Sequence, residues 1–336
     1  TRPLAGHESS LAAWFPDLAI ETAIVRDPHV SDCINPMALA IRSADKVSTV
    51  SPTYATEIRR PSDPSRGFFG GEGLEEQLEN AARADRLVGI LNGCEYHVNG
   101  DRRPRWRRIL ALLAEQIDGW CAKDPDDASY ALAQSRFAAL PTDRPEIVLV
   151  SIGRLVRQKV SLFLEPLSDG RSALEHIAER IGDDGVLILL GSGEAEFEQR
   201  VLEIASRCPQ VLFLRGYSET LADPLYRAGD LFLMPSSFEP CGISQMLAMR
   251  AAQPCVVHAV GGLCDTVTDE KTGFVFGGED PGEQASEFVA AVDRALQMKA
   301  SDNDRWQTLC IHAASERFDW KRSAQRTVEE LYEPEH

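Results

Sequence analysis

From residue 147 onward, short apolar runs alternate with helix-compatible stretches. Residues 147–152 (IVLVSI), 186–190 (VLILL), 211–214 (VLFL), 231–234 (LFLM) and 255–258 (CVVH) are apolar at nearly consecutive positions. Between them lie segments at about 159–180, 194–207, 218–228 and 242–252 with helical patterning. Strands apolar on both faces belong to a parallel sheet covered by helices on either side, so this region is predicted to be a doubly wound α/β domain. A helical tail follows over about 281–332, with Trp306 and Trp320 as packing anchors. Upstream the rhythm is less regular. The pattern predicts a helix over 35–43, a strand over 46–50, a proline-started helix over 52–59, a loop over 61–73, a helix over 74–84 and a strand over 87–91 that stops at Asn92-Gly93. Residues 100–145 read as polar and partly helical and end in the breaker-rich Leu140-Pro141-Thr142-Asp143-Arg144-Pro145. A domain boundary is expected there.

Composition narrows the class. A chain of 336 residues exceeds what one hydrophobic core usually serves. Its 43% hydrophobic and 26% charged residues exclude a disordered chain, a collagen or a disulfide mini-scaffold. The formal net charge of −17 opposes nucleic-acid backbones and anionic membranes, so neither is an expected partner. An anionic ligand must therefore meet a few placed cations inside a cleft. The 8 cysteines are scattered, without C-x-x-C spacing or neighbouring histidine pairs, and are read as reduced. No apolar stretch approaches the roughly 20 residues of a membrane span, and the amino terminus lacks a signal-peptide core. A cytoplasmic location is expected. Neither Asp124-x-Asp126 in the linker nor Asp302-x-Asp304 in the tail sits at a strand end, so no metal site is expected.

Ligands of doubly wound sheets bind beyond the carboxyl ends of the strands. Three loops there carry candidate chemistry. After 147–152, Arg154 and Lys159 could aim a forked guanidinium and a point charge at one phosphate pair, or form a solvated basic turn. After 186–190, Gly191-Ser192-Gly193 opens a helix, which fits either anion binding or a tight turn that needs glycine for steric reasons. After 231–234, Glu239 stands ahead of a helix whose first N–H groups are free near Gly242, Ile243 and Ser244. It is placed to bind ligand hydroxyls or offset developing positive charge, or else to cap the helix. A further pair, Gly261-Gly262, follows 255–258, with Asp265 and Thr266 beside it.

Taken together, Arg154-x4-Lys159, Tyr217, the run Pro235–Gly242 (PSSFEPCG), Gln245 and Gly261-Gly262-Leu263-x-Asp265-Thr266 resemble the bacterial glycogen synthase and plant starch synthase family. The upstream run 44–55 (ADKVSTVSPTYA) and Gly89-Ile90-Leu91-Asn92-Gly93 resemble that family's first domain. The resemblance implies a GT-B fold, two Rossmann-like domains facing a cleft. Residues 1–140 would then be the acceptor-side domain, incomplete in this chain, and 141–318 the nucleotide-sugar domain. The helix 319–336 would cross back to the first. It also implies that Arg154 and Lys159 neutralise the donor diphosphate, with Glu239 beside the glucosyl ring. Backbone N–H groups at Gly242, Ile243 and Ser244 would bind the distal phosphate. Tyr217 would stack on adenine, the alternative being a half-buried core tyrosine. Asn92 would touch the sugar, and Gly261, Gly262, Asp265 and Thr266 would line the crevice.

There are departures. The second acid of the Glu-x7-Glu pattern is Leu247 here, so one carboxylate serves. Cys94 and Glu95 stand where isoleucine and aspartate are usual. The family's Lys-x-Gly-Gly-Leu loop and His-Asn-Leu motif are absent, so the chain is read as beginning midway through its first domain. The activity implied is retaining transfer of glucose from ADP-glucose to the non-reducing end of an α-1,4-glucan, with no cofactor or metal. The partners are thus a nucleotide sugar and an α-glucan; these residues specify no oligomeric state. A GT-B transferase using UDP-glucose or another acceptor, or a non-catalytic nucleotide-sugar or glucan-binding module, fits the same residues. An NAD-dependent oxidoreductase fits poorly, since no G-x-G-x-x-G follows any strand.

Overall fold

The computed structural model describes residues 4–5, 22–30, 33–96 and 103–333, with Leu4, Ala5 and Thr22 described by backbone alone. The chain forms two compact units. One is Thr1–Asn92 with Trp320–His336, the other Gly93–Asp319.

In the first unit β1 (Leu4–Ala5) pairs antiparallel with β2 (Cys33–Ile34), and β3 (Val47–Thr49) pairs parallel with β4 (Leu87–Gly89). Asn35 starts the helix Pro36–Ser43 by accepting the Met37 and Ala38 N–H groups, and Ser51 does the same for Tyr54 in the helix Pro52–Glu57. Both helices carry proline at their first position, where no backbone N–H is needed. A small core of Ala38, Ile41, Ile58, Leu74, Leu78 and Ala81 holds these elements together.

The second unit is built on a six-stranded parallel sheet in the order β10-β9-β8-β5-β6-β7. Its strands are β5 (Ile147–Ile152), β6 (Gly185–Gly191), β7 (Val211–Arg215), β8 (Leu231–Met234), β9 (Cys255–His258) and β10 (Gly273–Phe276). From central β5 the chain steps outward through β6 and β7, then returns to β8 on the other side of β5. The order of winding therefore reverses between β5 and β8, where such sheets open a crevice. Alternate strand residues feed two cores. Leu149, Leu187, Leu189, Phe213, Leu231 and Leu233 face one, and Val148, Val150, Ile188, Leu190, Leu212 and Phe232 the other. Each large side chain so buried contributes roughly 1.5–3 kcal/mol.

Two expectations are corrected. The division lies at residues 92/93 rather than at 140, because the helix Trp106–Lys123 buries Trp106, Ile109, Leu113, Ile117 and Trp120 in the second core. That 3-4-4-3 spacing is a helical stripe, hidden in a stretch dense with arginine and acid. Trp306 is buried as an anchor, whereas Trp320 is 49% exposed. The helical tail is interrupted at Asp302, which closes the helix Pro281–Ser301 and caps Asn303–Ser315. The terminal helix Trp320–Leu331 groups with the first unit. Among the described residues, no helix is long and apolar enough to cross a membrane.

Candidate functional site

The loops after β5, β8 and β9 interlock at the reversal point. The Ser237 N–H donates to the Gln158 carbonyl at 2.9 Å, tying the β8 loop to the β5 loop. The Gly262 N–H is shared by the carbonyls of Glu239 (3.1 Å) and Pro240 (3.2 Å), which ties the β9 loop to the β8 loop. Gly261 has a φ of +43, and a Cβ there would collide with the Glu239 carbonyl. The glycine pair is thus required by backbone approach at the loop that carries the carboxylate.

Within this frame Lys159 is ion-paired with Glu239. Glu239 is 7% exposed and also accepts from the Ser236 hydroxyl at 3.3 Å. Burial and, after it, the nearby Arg154 charge together lower the pKa of Lys159 to about 8. The Glu239 carboxylate works the other way, stabilising the ammonium. Arg154 is exposed and has no ion-pair partner among the described residues. The arrangement is a buried carboxylate held by a partly buried cation, with a second cation open to solvent. A diphosphate entering the crevice would find both positive groups on the β5 loop.

The backbone beyond Glu239 is held from below. The Gln245 side-chain amide donates to the Cys241 carbonyl (3.0 Å), the Gly242 carbonyl (3.1 Å) and the Thr266 hydroxyl (3.2 Å). Thr266 in turn donates to the Gly262 carbonyl at 2.7 Å. Ser244 opens the helix Ser244–Arg250 and accepts from the buried Tyr226 hydroxyl at 3.1 Å. Burial pushes that phenol up to about 12, so it remains a donor at neutral pH. Ile243 is exposed at the mouth of this turn.

Of the residues expected from sequence, Arg154, Lys159, Glu239, Gly242, Ile243, Ser244, Gly261, Gly262, Asp265 and Thr266 lie in these loops or in the short helices that begin them. Tyr217 follows β7 at the same edge of the sheet and is 76% exposed, which removes the core reading. Trp120 packs against Gly216 immediately before it. Asn92 follows β4 in the first unit. The Gly191-Ser192-Gly193 turn resolves as structural. Backbone of the β5 loop crosses directly over both glycines, and the Gly193 N–H already donates to the Glu198 carboxylate at 2.7 Å. Ser236, Tyr226 and Gln158 escaped the sequence reading, because a serine, a core tyrosine and a backbone carbonyl leave no pattern. Among the described residues, no group of three or more His, Cys, Asp or Glu is placed to hold a metal ion.

His258 ends β9 and stacks on Phe276, with Nδ1 placed 3.1 Å from the Ser236 carbonyl. Burial lowers its pKa to about 4. The unfolded chain binds this proton first, so the contribution to stability is intact above about pH 6.5 and lost as pH falls towards 4. His258→Gln removes this acid sensitivity. Between pH 7 and pH 5 its stability gap to the parent is expected to shrink by about 2 kcal/mol in denaturant titrations. A gap independent of pH would refute the buried neutral imidazole.

Comparison with known proteins places this geometry. Residues 2–80 match the family described as Starch synthase catalytic domain, and residues 146–298 match Glycosyl transferases group 1. The glycogen synthase of Desulfitobacterium hafniense is 35% identical over 309 residues, 89% of this chain and 56% of that protein. The glycogen synthase of an Anaeromyxobacter species is 37% identical over 312 residues, 90% of this chain and 58% of that protein. The chain thus spans a little over half the length of these curated relatives. The catalytic domain of starch synthase IV from Arabidopsis thaliana, solved bound to ADP and acarbose, superimposes with a TM-score of 0.68 at 28% identity, over 95% of this chain and 63% of that one. Anabaena HepE, solved with UDP-glucose, shares the fold at a TM-score of 0.55 and 21% identity, over 88% of this chain and 66% of that one. By these matches, and by the loops that meet at the β5–β8 reversal, the chain belongs to the glycogen and starch synthase family and has its GT-B type of fold.

Proposed function

We propose that this chain carries the donor-binding half of a retaining glucosyltransferase, which moves glucose from ADP-glucose to the non-reducing end of an α-1,4-glucan. The observation that carries the reading is the largely buried Lys159–Glu239 pair at the sheet's reversal point, with Arg154 open beside it. Departure of ADP leaves positive charge on the sugar ring and additional negative charge on the diphosphate. Lys159 and Arg154 offset the second, and Glu239 faces the first. The open N–H groups of the Gly242–Ser244 turn add donors for the distal phosphate. Exposed Tyr217 offers a stacking surface for the base. The names of the relatives, and the ADP and acarbose bound to the plant enzyme, support a nucleotide-sugar donor and a glucan acceptor.

Calorimetric titration of the chain with ADP-glucose and separately with UDP-glucose tests this. Saturable binding that favours ADP-glucose is expected, weakened about tenfold or more by Arg154→Ala or Lys159→Ala. Free Lys159 loses its proton above about pH 8, so donor affinity falls as pH rises through that value. In Arg154→Ala the fall moves to higher pH, because the neighbouring positive charge is gone. A folded chain that binds neither donor would overturn the proposal.

A further inference from the structure

At the opposite end of β5 and β8, where these strands begin, the second unit holds a cavity of about 390 Å³. Arg103, Arg144 and Lys299 line it, with Asp230 as the one acid among its lining residues. Asp230 is 5% exposed and accepts from the Val148 N–H at 2.9 Å, from Arg144 at 2.8 Å and from Arg103 at 3.3 Å. One carboxylate therefore faces two guanidinium groups. Lys299 meets no carboxylate among the described residues; its ammonium donates to the Glu146 carbonyl at 3.1 Å. The wall thus carries two positive charges in excess, in a chain whose formal net charge is −17.

Part of this is structural. Arg144 donates to the Ala228 carbonyl at 3.1 Å and Arg103 to the Gly229 carbonyl at 2.8 Å, which satisfies groups at the end of the helix Glu219–Ala228. That role accounts neither for Lys299 nor for the space. It also leaves out Trp306, which lines the cavity, is 5% exposed as a residue, and donates its indole N–H, which solvent still reaches, to no described residue. Excess cations, an indole N–H open to solvent and a cavity together describe a receptor for an oxyanion. The volume lies near the lower end of the roughly 300–1,000 Å³ of small-molecule sites, which leaves room for a short carbon skeleton beyond the phosphate.

We propose that this cavity is a second anion site that takes a small phosphate monoester, with Arg103, Arg144 and Lys299 meeting the phosphate oxygens and the Trp306 N–H reaching an adjacent oxygen. It lies at the amino ends of the strands whose carboxyl ends carry Arg154 and Glu239, so the two sites are separated by the length of the sheet. Arg144 stands three residues before β5 and Asp230 immediately before β8, so a ligand there holds the starts of both strands.

Titrating the full chain with glycerol 3-phosphate and with inorganic phosphate, in chloride buffer, tests the site. Saturable binding of glycerol 3-phosphate is expected in the parent and equally in Arg154→Ala. Lys299→Ala should weaken it about tenfold or more, and Lys299→Glu should abolish it. Lys299→Gln, which keeps the side-chain stem, repeats the test should the alanine variant melt early. Inorganic phosphate should bind more weakly with the same ranking of variants. Equal affinity for the two probes would overturn the monoester assignment. No binding by the folded parent, or binding that Arg154→Ala removes and Lys299→Ala spares, would overturn the site.

Discussion

On the proposed function, Glu239→Gln is expected to lower the rate of glucosyl transfer to glycogen by two to three orders of magnitude while changing the KM for ADP-glucose by no more than about threefold. The substitution preserves shape and hydrogen-bonding capacity but removes the negative charge. In the resting protein that charge compensates Lys159, and both groups are largely buried. Once a diphosphate occupies the crevice, Lys159 has a second anion to meet, so ground-state binding survives. The transition state differs, because positive charge grows on the sugar where the amide can no longer offset it. Steady-state kinetics with ADP-glucose and glycogen separate kcat from KM. An unchanged kcat would remove Glu239 from the chemistry. A raised KM at constant kcat would make it a binding residue alone.

Gly261→Ala is expected to destabilise the second unit by roughly 2–4 kcal/mol, lowering its melting temperature by about 5–15 °C. Two strains coincide. The residue sits at a φ of +43, which alanine adopts reluctantly, and its new methyl group would press on the Glu239 carbonyl. Neither backbone yields easily, since the Gly262 N–H binds the carbonyls of Glu239 and Pro240. The Glu239 loop must shift, so donor affinity falls along with stability. Gly277→Ala is the control. A methyl group there meets nothing within 4 Å, and its melt should stay close to that of the parent. Equal melts for the two variants would mean that the loops slide past one another freely.

The strands of the second unit were legible because burial on both faces makes them apolar at consecutive positions, as in Val186 to Leu190. β10 was not, since its four residues fall between polar stretches and its burial comes from the helix Pro281–Ser301 and from β9. The helix Trp106–Lys123 carried a readable stripe but was masked by its polar face. In the site, residues with charge or forced glycine could be named in advance. Their supports could not. Ser236 and Tyr226 act through single side-chain hydrogen bonds whose partners are set by tertiary approach, and no local pattern encodes that.

The second unit starts and finishes at one spot. The Cys94 N–H donates to the Phe318 carbonyl at 2.6 Å, and the Phe318 N–H donates to the Tyr96 hydroxyl at 2.9 Å. In terms of chain entropy, an unfolded insertion of roughly 230 residues between Asn92 and Trp320 would impose a large closure penalty on the terminal helix's return to the first unit. With the insertion folded and its ends paired, the effective loop shrinks to a few residues, and the penalty falls by about 3–4 kcal/mol. The first unit, split in sequence, can then assemble almost as though its chain were continuous.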